Sequence, residues 1–242
     1  MSTPTITPKP VSVLPSQEIP PLQNGDHLTR AEFERRYQAM PELKKAELIE
    51  GVVYVPSPVR FRKHSGPHFD LITWLGSYCA ATPGLEGGDN STLRLDLDNE
   101  PQPDVFLRIK PSYGGQSKTD NDDYVEGAPE LVCEITSSSA SYDLHEKLRA
   151  YRRNKVHEYI VWRVLDREID WFVLRDERYE KVGSSLDGII RSELFHGLWL
   201  DPAAMMRRDM PEVLKVLQQG ITSPEHATFV AELEKAATKG QP

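Results

Sequence analysis

The tightest constraint on the fold is a short run near the middle of the chain, Leu131, Val132, Cys133, Glu134 and Ile135. Apolar side chains at successive positions leave no polar face, the signature of a central strand covered on both sides. Glu134 interrupts that run, and a carboxylate in such a place is costly unless a metal or a cation neutralises it. Upstream, Pro103, Asp104, Val105, Phe106 and Leu107 make a second short apolar stretch beside one acid. Downstream, residues Asp143 to Tyr151 read as a helix with Asp143, Lys147 and Tyr151 on one face. Acids delivered by neighbouring strands, with a lysine close by, suit a divalent-metal site acting on phosphodiesters.

The rest of the chain supplies a sheet and its covering. Met1 to Asp26 is rich in Pro, Ser and Thr without hydrophobic periodicity and is expected to be a flexible tail. Thr29 is a plausible N-cap for a helix carrying Phe33 and Tyr37 on one face, which Pro41 ends. Glu47 to Val55 reads as a strand pair or bent strand with Gly51 at the turn or bulge. From Pro67 to Thr82, Phe69, Ile72, Trp74, Leu75, Tyr78 and Cys79 recur at helical spacing, and Gly84, Gly87 and Gly88 are expected to form the turn that follows. Thr92 to Asp98 alternates like a half-buried strand and is expected to form a hairpin with Pro103 to Ile109; Asp96 and Asp98 fall on its solvent face. Lys110 to Gly127 reads as an exposed loop, whose acidic residues Asp120, Asp122 and Asp123 lack EF-hand spacing. Val156 to Trp162, Ile169 to Leu174 and Tyr179 to Val182 read as a meander turning at Asp166–Arg167 and Asp176–Glu177. Leu194 to Pro202 is a closing irregular segment, and Met210 to Gln219 and His226 to Thr238 carry weaker helical periodicity. The expected organisation is a tail over 1–26, one domain over 27–202 and a C-terminal helical extension over 203–242.

Several classes are set aside by composition. No apolar run approaches the roughly 20 residues of a membrane helix, and the N-terminal residues lack the apolar segment of a secretory signal. A cytoplasmic protein with no membrane partner is expected. The two cysteines, Cys79 and Cys133, both in apolar surroundings, read as buried thiols. A formal net charge of −8 argues against a uniformly basic surface but leaves room for a local basic groove. Arg60 to His64 and Arg149 to Arg153 are the candidate patches, each of which alone reads better as a solvated loop or helix face. There is no Gly-x-Ser-x-Gly elbow, phosphate-cradling Gly-Lys-Ser/Thr loop or Cys-x-x-Cys knuckle. Trp162 and Trp171 read as sheet packing rather than a platform for bases.

From about Leu28 to Leu200 the sequence resembles the Uma-two family, restriction-endonuclease-like proteins of the PD-(D/E)XK nuclease superfamily. The resemblance rests on Glu47 to Gly51, Ser57-Pro58 followed by His64, Pro103-Asp104-Val105, Pro129 to Ile135, Ser137, Asp143, Lys147, Tyr151 and Val156 to Tyr159. It implies an α/β (α+β) fold, a restriction-endonuclease-like mixed β-sheet flanked by helices, with acids at the strand ends.

The resemblance makes Asp104 the motif aspartate, Glu134 the second acid, and Glu47 the acid contributed ahead of the sheet. Those three would hold Mg2+ or Mn2+. The superfamily lysine is expected two positions after Glu134, where Thr136 stands; Lys147 on the following helix would supply the amine instead. Arg62, Lys63 and His64 are candidates for contacting the substrate, with a lone loop histidine otherwise reading as ordinary surface. The implied activity is metal-dependent endonucleolytic hydrolysis of DNA or a related nucleic acid. A homodimer would suit cutting two strands with one site per chain. The alternative is a catalytically inactive module of the same fold that binds nucleic acid or a protein partner. Tyr151 reads as packing, and His145 and His157 lack metal-ligand spacing.

Overall fold

Period-two apolar patterning and tight turns build the sheet first. In the computed structural model, which describes residues 19–56, 60–137 and 143–239, the chain enters as α1 (Arg30–Gln38) and a hairpin, β1 (Glu47–Ile49) and β2 (Val52–Tyr54). Glu50 and Gly51 between these strands both hold positive φ, 52° and 74°, as a type I′ turn requires. The strained Glu50 is tied down by its N–H, which donates to Asn99 Oδ1 at 2.8 Å. A π-helical turn over Phe61–Ser65 runs directly into α2 (Gly66–Ala81). There follow β3 (Leu85–Asp89), β4 (Leu93–Arg94), β5 (Val105–Ile109), β6 (Lys118–Thr119), β7 (Val125–Glu126) and β8 (Leu131–Thr136). A second π-helical turn, Asp143–Lys147, leads into α3 (Leu148–Arg153). The meander β9 (Glu158–Arg163), β10 (Glu168–Arg175) and β11 (Arg178–Lys181) comes next. The chain closes with β12 (Ile190–Arg191), β13 (Trp199–Leu200), α4 (Pro202–Arg207), α5 (Met210–Ile221) and α6 (Pro224–Lys239).

The main sheet has six strands in the order β11-β10-β9-β8-β5-β3. Its pairs are antiparallel except β8 with β9, which α3 joins as a crossover. Side chains alternate between its faces. Val105, Leu107, Leu131, Cys133 and Ile135 face one core with Leu71, Trp74, Leu75 and Tyr78 of α2, the i, i+3, i+4, i+7 stripe of a helix lying on a sheet. Phe106 and Val132 face the opposite core with Tyr151 of α3. A third cluster, Leu22, Phe33, Ala46, Leu48 and Val53, seats α1 on the β1–β2 hairpin. The mixed sheet flanked by helices is the expected fold class.

Several local expectations are corrected. Leu93–Arg94 alone of the predicted Thr92–Asp98 strand is a strand, and it pairs in parallel with β7 rather than as a hairpin with β5. The neighbours of β5 are β3 and β8. Gly87 and Gly88 therefore lie inside a strand, not in a turn. Gly88 sits under the Phe106 ring, where a Cβ would come within 2.6 Å of Cε1, so the strand is glycine-bearing because an aromatic ring covers it. Lys110 to Gly127 is not an open loop throughout: β6 and β7 pair within it and Val125 is buried. The predicted irregular segment contains β13, antiparallel to β12.

Of the expected tail, residues 1–18 lie outside the described residues. Leu22 is buried, and the Gly25 N–H donates to Val53 O at 2.8 Å. At the other end Met205, Val213, Leu217, Phe229 and Leu233 join the core under α2. Trp162 and Trp171 are buried, and both cysteines are free thiols, Cys133 fully buried. No helix among the described residues is long and apolar enough to cross a membrane.

Candidate active site

The β5–β8 register brings the two acids together. Val105 pairs with Cys133, so one step further along the antiparallel ladder Asp104 comes opposite Glu134. Both lie on the α3 face, at the end of the strands. Asp104 is 2 % exposed and Glu134 3 %. Asp104 Oδ2 accepts the Ile135 N–H at 2.7 Å, a bond from the neighbouring strand that fixes the carboxyl plane. Its other oxygen, Oδ1, faces His64 Nε2 at 3.0 Å and Lys45 Nζ at 3.9 Å. Burial works against ionisation here, but the His64 contact, the Lys45 ammonium and the Ile135 N–H outweigh it and hold the Asp104 carboxyl below its ordinary range. The site keeps a charged aspartate in a nearly dry setting.

Glu134 is neutralised by a cation, as its position in an apolar strand demands. Lys147 Nζ donates to Glu134 Oε1 at 2.8 Å and to Glu47 Oε1 at 2.9 Å. Tyr151 Oη donates to the same Glu134 oxygen at 2.8 Å. Glu47 Oε1 also accepts the Gln102 N–H at 2.7 Å. The ammonium thus bridges an acid from the β1–β2 hairpin and an acid from the central strand. Lys147 is the last residue of its π-helical turn, and His64 lies within the other one. Such turns displace side chains from the ordinary helical register and recur at functional sites.

Of the residues singled out in the sequence, Asp104, Glu134, Glu47, Lys147 and His64 converge on one end of the sheet. Arg62 and Lys63 stand on the His64 turn, exposed to solvent. Thr136 is buried in β8, and the side chain of Asp143 lies outside the described residues. Asp96 is not merely a solvent-face acid: its carboxylate accepts from Asn99, Arg153 and Asn154 and ties α3 to the segment after β4.

Three contributors were not picked out. Tyr151, read as packing, donates to Glu134 while its ring lies 5.0 Å from that of Tyr159. Lys45 faces Asp104, and His68 Nε2–H donates to the Asp104 carbonyl at 2.7 Å. His64 and His68 are one helical turn apart, the one signal in the sequence that could have paired them.

Among the described residues no group of three or more His, Cys, Asp and Glu side chains is arranged to hold a metal ion, because Lys147 occupies the space between Glu47 and Glu134. Asp104 and Glu134 remain as a two-carboxylate oxygen set. That chemistry fits Mg2+, which takes one or two carboxylates and keeps most of its waters.

A family profile described as "Uma2: Putative restriction endonuclease" matches residues 30–203. The chain belongs to the Uma2 family. The match spans α1 through the start of α4 and so contains every residue of the site just described. The Uma2 chain also resembles the crystal structure of "a putative nuclease belonging to DUF820" from Anabaena variabilis, with a TM-score of 0.52 and 12 % identity. That likeness covers 76 % of this chain and 97 % of the other, and it establishes a shared fold. No curated protein matches the Uma2 chain.

Proposed function

We propose that this Uma2 protein is a metal-dependent endonuclease that hydrolyses phosphodiester bonds of DNA. The observation that carries the reading is the pairing of Asp104 and Glu134 across β5 and β8, with Lys147 placed between Glu134 and Glu47. In this reading Asp104 and Glu134 hold Mg2+ or Mn2+, with Glu47 completing the acidic end of the sheet. The bound ion supplies Lewis-acid polarisation of a phosphoryl oxygen and a water of lowered pKa. The Ile135 N–H and His68 fix Asp104 through its carboxyl and its backbone carbonyl. Lys147 screens repulsion between Glu47 and Glu134 and keeps a positive charge beside the position where negative charge develops on the phosphate. Tyr151 holds the Glu134 carboxylate in place. Arg62 and Lys63, on the turn carrying His64, offer cations to the nucleic-acid backbone.

One observation favours a second reading. Lys147 is already engaged by two carboxylates, and Thr136 fills the strand position of the superfamily lysine, as a site kept for binding alone would allow. A plasmid-nicking assay with Mg2+, Mn2+ or chelator separates the two. Metal-dependent nicking by the parent is expected, with loss of detectable nicking in Asp104→Asn and Glu134→Gln variants that retain the parent's circular dichroism. Equal nicking by the variants would remove the site from the chemistry. No nicking, together with no rise in Tm on adding millimolar Mg2+ or Mn2+, would establish the non-catalytic module.

A further inference from the structure

The π-helical turn that carries His64 also carries an exposed aromatic ring. Phe61 is 69 % exposed and Phe69, on the first turns of α2, is 68 % exposed. On α2 the side chains Leu71, Trp74, Leu75 and Tyr78 are sealed in the core, and Ile72, beside Phe69, is 36 % exposed. The two rings bracket the histidines of the site: Phe61 precedes His64 by one turn, and Phe69 follows His68 directly. The His64 and His68 rings meet edge-on at 5.8 Å, and both contact Asp104. Eight residues of uninterrupted α-helix would leave Phe61 and Phe69 about 80° apart around the axis. The π-helical turn winds less per residue and reduces that angle, so the rings come toward one side.

The exposed charges that flank Phe61 on the His64 turn are of one sign. Arg60, Arg62 and Lys63 are exposed, and among the described residues none of the three forms an ion pair. That is unlike Arg36, Arg94, Arg108, Arg163 and Arg208, each of which reaches a carboxylate. On a chain of net charge −8, unpaired cations beside exposed rings make a local surface for a polyanion with flat faces. The bases of a duplex are stacked inside it and offer a phenyl ring nothing; unpaired bases stack on aromatic side chains while cations track the backbone.

We propose that Phe61 and Phe69, framed by Arg60, Arg62 and Lys63, form a base-stacking platform that holds an unpaired stretch of nucleic acid beside Asp104. The proposal rests on the nucleic-acid reading of the site and adds the state of the substrate: a single strand, a flap or a frayed end. A membrane surface would also accept phenyl rings and cations, but it would not account for their placement around the two histidines that hold Asp104.

The test uses the full chain in chelator, with a labelled 20-mer single strand, the same sequence as a duplex, and a strand carrying 2-aminopurine. The parent is expected to bind the single strand more tightly than the duplex and to change 2-aminopurine emission on binding. Phe61→Ala/Phe69→Ala should weaken single-strand binding about tenfold or more, leave duplex binding within about twofold, and abolish the emission change. Arg62→Ala/Lys63→Ala should weaken both and flatten the salt dependence. All four side chains are exposed, so the variants should keep the parent's melting temperature. Equal binding of both substrates, unaltered by loss of the rings, would overturn the platform. So would conversion of a parent dimer to monomer by the Phe variant, or its loss of anionic-vesicle binding without loss of single-strand binding. None of these outcomes alters metal-dependent nicking abolished by Glu134→Gln, so the platform can fail while the nuclease reading stands.

Discussion

Lys147 shows what one residue contributes to this site. It is 3 % exposed and lies between Glu47 and Glu134, so its ammonium compensates two buried carboxylates at once. Replacing it by Met leaves both acids without that cation. Loss of one partner from a buried ion network costs about 3–5 kcal/mol, and Lys147→Met should show a loss of that size in urea denaturation. Tyr151→Phe removes one donor to Glu134 and keeps the ring against Tyr159, so its loss should be nearer about 1–2 kcal/mol. Equal effects would mean that the hydroxyl and the ammonium do not play distinct roles. Glu134 was legible in the sequence because an acid inside an apolar strand demands a partner; Asp104 and Lys147 stood out as an acid and a lysine on neighbouring elements, and Glu47 came from the family resemblance alone. Lys45 and His68 were not: one faces Asp104 across a gap and the other bonds to a main-chain carbonyl, and neither relation leaves a mark on composition or periodicity.

At the level of elements, the central strands, α2 and the β9–β11 meander could be read from alternation and helical spacing. The partner of β5 could not, because the glycines of β3 carry no pattern, and the Phe106 ring explains Gly88 alone. The packing of α1 conceals a titrating group. Glu100 pairs through its backbone with Leu48 of β1, and its buried carboxyl meets Glu34 of α1, which forms an ion pair with Arg94 at 2.9 Å. Burial first, and then the hydrogen bond and charge of Glu34, push the Glu100 carboxyl up to about 8 from an ordinary 4.5. A folded-state pKa raised in this way means that the protonated form stabilises the fold. That contribution is full below about 4.5 and is lost as pH rises through about 8. Glu100→Gln should therefore melt at a higher temperature than the parent at pH 8, with the difference shrinking toward pH 5. A constant difference across that range would show that folding does not raise the Glu100 pKa.

The whole molecule is held by contacts that reach past the family match, which ends at residue 203. Val213, Leu217, Phe229 and Leu233 pack into the same core as Trp74 and Trp171. Truncation after Pro202 should therefore remove cooperative thermal unfolding and the near-ultraviolet circular dichroism of the buried tryptophans; a truncated chain that melts sharply would make α5 and α6 an independent addition. The sequence showed those helices only as weak periodicity, since a helix contributing one apolar stripe to a shared core looks much like one that stands alone. The Lys147 bridge has a consequence for the time course of folding. Its partners include Glu47, which is 100 residues away along the chain. A contact of that span closes late, after the intervening strands have paired. During synthesis the acids of the site emerge well before the chain segment that finishes their core. Assembly of the candidate site therefore waits on chain that follows all of its residues, since α5 and α6 finish the core beneath the sheet.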